Sequence, residues 1–108
     1  MKHLDGLMAA TVALMAINSP VGAQDAGDAR EGLATAQAFC SECHAVRKGE
    51  PRSPNGKSPT FVEIANTPGI TATALLVALT TPHAGMPMFV LTPAQRANVI
   101  AYILSLKD

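Results

Sequence analysis

The sequence predicts an all-α fold, and three observations predict it. No stretch sustains the period-two alternation of a half-buried strand between turn signals. Helix-start signatures recur instead: Asp28 with Glu31 three residues on, a Pro-led start near Ser58, Thr71 ahead of a leucine-rich run, and Thr92-Pro93-Ala94-Gln95. Turn-rich segments, Ala45 to Ser58 and Asn66 to Gly69, separate these starts. At 108 residues the chain holds one domain.

The first segment is expected to leave the chain. Met1-Lys2-His3 opens a weakly basic start, and Leu7 to Ile17 is an 11-residue run, apolar but for Thr11. That run falls short of the roughly 20 residues that cross a bilayer. Small residues at Val21-Gly22-Ala23 complete a secretory signal peptide over 1–23, with cleavage after Ala23. An uncleaved anchor is the alternative, since Asp5 is unusual in such a leader. Processing leaves residues 24–108 as the folded domain.

The first helix starts at about Asp28 and runs through Leu33, Ala34, Ala36, Ala38 and Phe39 into Cys40. Gly32 inside it costs about 1 kcal/mol relative to Ala, a cost that often marks close approach of another backbone. Cys40-Ser41-Glu42-Cys43-His44 follows. Two thiols three positions apart with an imidazole directly after the second read as a covalent attachment site for a c-type haem. The thiols form thioethers to the two vinyl groups, and His44 is carried under the ring as proximal ligand. The only two cysteines are both in this motif, so no structural disulfide is available. A haem then supplies the apolar centre that so small a chain, with no Trp and one Tyr, does not build alone.

Ala45 to Ser58 reads as a solvated loop along the haem edge, containing a backbone carbonyl for the other nitrogen of His44. Ser58-Pro59-Thr60-Phe61 reads as a cap with Pro at the first helical position, starting a short helix to about Ala65. Thr71 caps the next helix, with Leu75, Leu76 and Leu79 as its apolar stripe and Pro82 as its stop. Thr81 to Leu91 is an extended loop holding Met86-Pro87-Met88-Phe89. The last helix runs from Pro93 to about Leu106, with Ala97, Ile100, Ala101 and Leu104 on one face.

Iron held by one imidazole needs a sixth ligand or keeps an open site. A thioether is a soft donor that favours Fe(II) and suits electron transfer, and both Met86 and Met88 are placed to give one. The order of parts resembles the class I cytochromes c in their small, monohaem bacterial form. The matching residues are Gly32, Cys40 to Ala45, Ser53-Pro54-Asn55, Pro59-Thr60-Phe61, Met86-Pro87 with Phe89, Leu91 and Thr92, and Ala101-Tyr102-Ile103 with Ser105-Leu106. The resemblance covers the chain from about Gly32 onward. It implies helices packed around one covalently attached haem, Gly32 against Tyr102 where the first and last helices cross, and Met86, the Met before Pro, as axial ligand. The aromatic that the family often carries four residues before the first Cys is here Ala36, leaving the crossing less filled or filled by Phe39.

The resemblance therefore implies a periplasmic one-electron carrier, not an enzyme, with His44 and Met86 on iron and redox proteins as partners, acting as a monomer or as a subunit of a redox complex. An open sixth site for gas binding or peroxidatic chemistry is one alternative; a dedicated subunit of a periplasmic dehydrogenase is another. A thioredoxin-like thiol pair wants a βαβ setting, and a zinc site wants a second close ligand pair; neither is present in the sequence. His83 reads as a loop histidine near the haem edge. A net charge of zero without a basic patch argues against nucleic acid as a partner. Arg47, Lys48, Arg52 and Lys57 form a solvated basic set able to steer an acidic partner.

Overall fold

The computed structural model describes residue 6, residues 9–15 and residues 27–108. Most of the expected leader over 1–23, its cleavage site included, lies outside the described residues. Four helices form: α1 (Ala29–Phe39), α2 (Phe61–Ala65), α3 (Ala72–Thr80) and α4 (Pro93–Ser105). No strand forms among the described residues, where the one β-type pairing is an isolated bridge between His83 and Met86. None of their helices is long and apolar enough to cross a membrane.

Helix α1 lies across α4, the most extensive contact between elements, and α2 and α3 also pack on α4. The crossing is set by Gly32. A Cβ built there falls inside the contact radius of the Asn98 carbonyl oxygen and 2.7 Å from the Tyr102 Cβ. Only a residue without a side chain lets the two backbones meet. Ala36, one turn on, is fully buried, so a small residue suffices there. Phe39 does not fill the crossing: it is more than a third exposed and packs on Phe89, with ring centroids 5.8 Å apart.

Asp28 caps α1 as expected, its carboxylate accepting from the backbone N–H groups of Arg30 (2.8 Å) and Glu31 (3.3 Å). The reciprocal half of a capping box is supplied from elsewhere. The Asp28 N–H donates to Asn98 Oδ1 at 2.8 Å, so α4 rather than Glu31 completes the cap. Asn98 thus fixes the crossing with both its backbone and its side chain.

Helix α2 begins two residues later than a Ser58 cap implies. Thr60 is its N-cap in a full capping box with Glu63, and Pro59 stands outside the helix. Ser58 as cap would have put Phe61 at the third helical position, which cannot return a hydrogen bond. In α3 the Thr71 cap is as expected, but Leu76 points outward and is 42% exposed; Leu75 and the half-buried Leu79 face the core. The inward surface of α4 is also displaced from the expected stripe. Val99, Ile100, Tyr102, Ile103 and Leu106 are buried, whereas Ala97, Ala101 and Leu104 are intermediate. A helix packed against three others buries more than one face, which a single stripe does not describe.

Tyr102 ties this core to the loop after the cysteines. Its hydroxyl donates to the Val46 carbonyl at 2.5 Å, and Ala45 and Val46 are buried although the loop beyond them is largely exposed. Its ring also packs on Phe61, centroids 6.4 Å apart. Burial raises the Tyr102 pKa above the ordinary phenol value of 10.0, against a lowering by Arg47 and with a raising by Glu50.

Two predictions follow from the crossing and the tyrosine. Gly32→Ala gains about 1 kcal/mol of helix propensity but meets the α4 backbone at Asn98 and the Tyr102 Cβ, and overpacking of this kind costs about 1–3 kcal/mol. A net loss in a denaturant titration of the haem-loaded protein is expected; an unchanged or raised midpoint would show that the crossing has slack. For Tyr102, a folded pKa above the unfolded one means a stabilising contribution that is full below pH about 10 and is lost as pH rises toward the folded value. Tyr102→Phe is expected to be less stable by about 1 kcal/mol at neutral pH and to lose less stability between neutral and strongly alkaline pH.

Candidate haem site

The Cys40–His44 segment continues directly from α1. The Cys40 N–H donates to the Ala36 carbonyl at 2.8 Å, and the His44 N–H to the Cys40 carbonyl at 2.9 Å, which makes a further turn of the motif itself. Cys40, Cys43 and His44 are each half-buried, and all three line one large cavity. Burial pushes the Cys40 thiol up to about 11, so it stays protonated near neutral pH. A thiol held neutral is a poor nucleophile, and this weighs against the thiol–disulfide alternative.

The histidine is oriented by a carbonyl. His44 Nδ1 lies 2.7 Å from the Pro59 carbonyl oxygen. A carbonyl accepts only, so Nδ1 carries the proton and Nε2 keeps its lone pair for a metal. The acceptor lies one residue beyond the loop in which it was expected. It is available because Pro59 stands ahead of α2: as a first helical residue its carbonyl would be drawn into the helix's own ladder. The position is held by the Phe61 N–H donating to the Ala45 carbonyl at 2.9 Å and by the Thr60 cap. The Phe61 ring packs on the imidazole, centroids 5.4 Å apart.

The cavity measures about 690 Å³, within the range of cofactor and ligand sites. Its walls are apolar: Phe61, Ile64 and Ile70, Leu75 and Leu79 of α3, and Val99 and Ile103 of α4. Asn55, Lys57 and Glu42 give polar groups along the lining. Ile64, Ile70, Ala74 and Ala78 were not picked out from the sequence. Their signal, apolar or small residues on two short helices flanking a turn, is indistinguishable from ordinary core.

Met86 and His83 of the 81–91 loop line the same cavity, whereas Met88 does not. Met88 is half exposed and lines only an adjoining hollow of about 20 Å³, whose walls also include Met86, His83, Phe39 and Phe89. The loop is shaped by a four-residue turn: the Met86 N–H donates to the His83 carbonyl at 3.3 Å, and Gly85 at the third position has φ +78°. Its far end is pinned by the Arg96 Nη1, which donates to the Leu91 carbonyl at 2.8 Å. Of the basic set, Arg47, Lys48, Arg52 and Lys57 are all exposed, and Lys48 pairs with Asp108 at 3.4 Å.

These residues fit a porphyrin. The cavity is apolar and of cofactor size, it receives both thiols of the attachment motif, one imidazole has its metal-binding nitrogen free, and a thioether lines it as well. An all-helical chain with this motif and this cavity defines the class of c-type cytochromes. Within that class the chain belongs to the family described as cytochrome C oxidase, cbb3-type, subunit III, which residues 27–103 match. It is also 30% identical over 105 residues to cytochrome c-552 of Bradyrhizobium diazoefficiens, covering 97% of this chain and 96% of that protein. No solved structure matches significantly. The family is one of monohaem electron carriers rather than enzymes, with covalently bound haem as its cofactor and redox proteins as its partners.

Gly85→Ala tests the loop geometry. An L-residue in the left-handed region costs about 1–2 kcal/mol, and no neighbouring atom obstructs the added Cβ. The expected effect is a loss of that size in the denaturation free energy of the haem-loaded protein, with thermal unfolding as the check.

Proposed function

We propose that the chain is exported, cleaved after Ala23 and works in the periplasm as a one-electron carrier. In this reading Cys40 and Cys43 hold the haem through thioethers, and His44 and Met86 are the axial ligands. The observation that carries it is the convergence on one cavity of a His44 with its Nε2 freed by the Pro59 carbonyl and a Met86 that Met88 does not accompany. The haem supplies a one-electron Fe(III)/Fe(II) couple.

The chain's residues set the conditions for that couple. The Pro59 carbonyl orients His44 and raises its basicity as a ligand. The thioether of Met86 favours the reduced state and raises the potential. The apolar walls from Phe61, Leu75, Val99 and Ile103 exclude water and keep the surroundings at low dielectric. Asn55 and Lys57 leave a polar edge where a redox partner can approach, and the exposed Arg47, Lys48 and Arg52 add positive charge suited to steering an acidic one.

Absorption spectra of the exported protein, made with the haem-attachment machinery, test the assignment. The oxidised protein is expected to show the weak far-red Met-to-iron band, lost in Met86→Ala and kept in Met88→Ala. A band that is absent from the wild type, or lost in Met88→Ala alone, would overturn the ligand set.

A further inference from the structure

We infer that His83 is a second, built-in axial ligand, poised to take the sixth iron position when Met86 leaves it. The inference rests on the haem-binding reading above. Its basis is the arrangement of lone pairs at the head of the 81–91 loop.

His83 Nδ1 lies 3.1 Å from the Thr81 carbonyl oxygen, and His83 Nε2 lies 3.0 Å from Met86 Sδ. The carbonyl can only accept, so Nδ1 carries the proton of the neutral ring and Nε2 is bare. A thioether sulfur carries no proton either. The short N···S approach is therefore not a hydrogen bond in the neutral ring: two Lewis bases lie side by side with nothing between them. Both side chains line the large cavity that also receives His44. With their donor atoms 3.0 Å apart, either could offer its electron pair to an acceptor held there.

The orientation of His83 has the form of a ligating histidine. Its distal N–H is held by a backbone carbonyl, as that of His44 is held by Pro59, and this fixes the tautomer with Nε2 directed away from the anchor. The turn enforces the pairing. With His83 and Met86 at its first and last positions, the Met86 N–H bonded to the His83 carbonyl and Gly85 at positive φ, the two side chains emerge together. Exchange needs no refolding of the loop. With haem bound, exchange would replace an iron–Sδ bond by an iron–Nε2 bond; each ligand would donate one electron pair, and neither an electron nor a proton would be transferred.

The exchange keeps the iron six-coordinate and closed to diatomic gases when the thioether is lost. It also replaces a ligand that favours Fe(II) with one that lowers the potential.

The test compares Met86→Leu, whose apolar side chain preserves the packing, with the double variant Met86→Leu/His83→Ala, both as haem-loaded proteins. Electron paramagnetic resonance of the ferric state and carbon monoxide uptake by the ferrous state are the readouts. The expected result is a low-spin, bis-imidazole signal without gas uptake in Met86→Leu, and a high-spin signal with gas uptake in the double variant. A high-spin, gas-binding Met86→Leu would overturn the inference, as would a double variant that stays low-spin through some other side chain. If Met86→Leu does not mature, the wild type and His83→Ala are compared in mild denaturant. There a bis-imidazole species as the far-red band fades is expected in the wild type only, and its absence, or its appearance in both, would overturn the inference. Failure of the underlying reading is separable, because it removes the far-red band from the untreated wild type.

Discussion

The structure depends on the contact between the backbones of α1 and α4. At Gly32 there is no room for even one carbon between Asn98 and Tyr102, and the consequences spread from that point. The Asn98 side chain, brought to the start of α1, completes its cap through the Asp28 N–H. Tyr102, one turn further along α4, reaches Val46 and fixes the chain just past the cysteine motif. The end of α1 delivers Cys40 and the turn to His44. A single close crossing thus aligns the attachment motif against the helix whose other face, through Val99 and Ile103, forms a cavity wall.

This arrangement explains how so short a chain builds a cavity of about 690 Å³ beside its dense core. The solid part of the interior, Ala36, Val46, Ala65, Val99 and Leu106 among others, is gathered near α4. The short helices α2 and α3 close against α4 but leave a hollow among Phe61, Leu75 and Ile103. A hollow of this size costs stability unless something fills it, because its lining loses dispersion contacts on one side. The apolar cofactor in the proposed holoprotein restores those contacts and does the work of the missing aromatic residues.

What was legible in the sequence and what was not divide along a physical line. The caps at Thr71 and Thr92 and the attachment motif are local, and each was readable from four or five neighbouring residues. The Thr60-x-x-Glu63 box is equally local, yet Pro59 draws attention to Ser58, and only the inability of Phe61 to return a bond decides between the two caps. The inward surface of α4 was not legible, because burying Val99 and Ile103 on one side and Tyr102 on another requires knowing how many partners the helix has. Leu76 was misplaced for a related reason: in a helix as apolar as Ala72–Thr80, sequence alone offers little contrast between faces. The Pro59 carbonyl, the Asp28–Asn98 bond and the His83–Met86 approach are pairings of orientation, which the residue alphabet does not encode.

The last of these pairings bears on why a c-type attachment suits this loop. Where axial bonds alone hold a haem, losing one ligand weakens the hold on the cofactor itself. In the proposed holoprotein, thioethers through Cys40 and Cys43 would separate the two functions: retention would be covalent, and ligation would be left to tune the iron. The 81–91 loop is then free of the task of keeping the haem in place. Its backbone is held mainly by short-range bonds, the turn at Met86 and the Leu91 N–H to the Phe89 carbonyl, with Arg96 on Leu91 and Phe39 on Phe89 as its ties to the helices, whereas His44 is fixed through Pro59, Phe61 and the α2 cap. The side that holds His44 is fixed by contacts to the ring and to its acceptor. On the other side of the cavity His83 and Met86 stand on one turn, and in the proposed holoprotein the iron's preference between a soft and a harder donor would decide which of them binds.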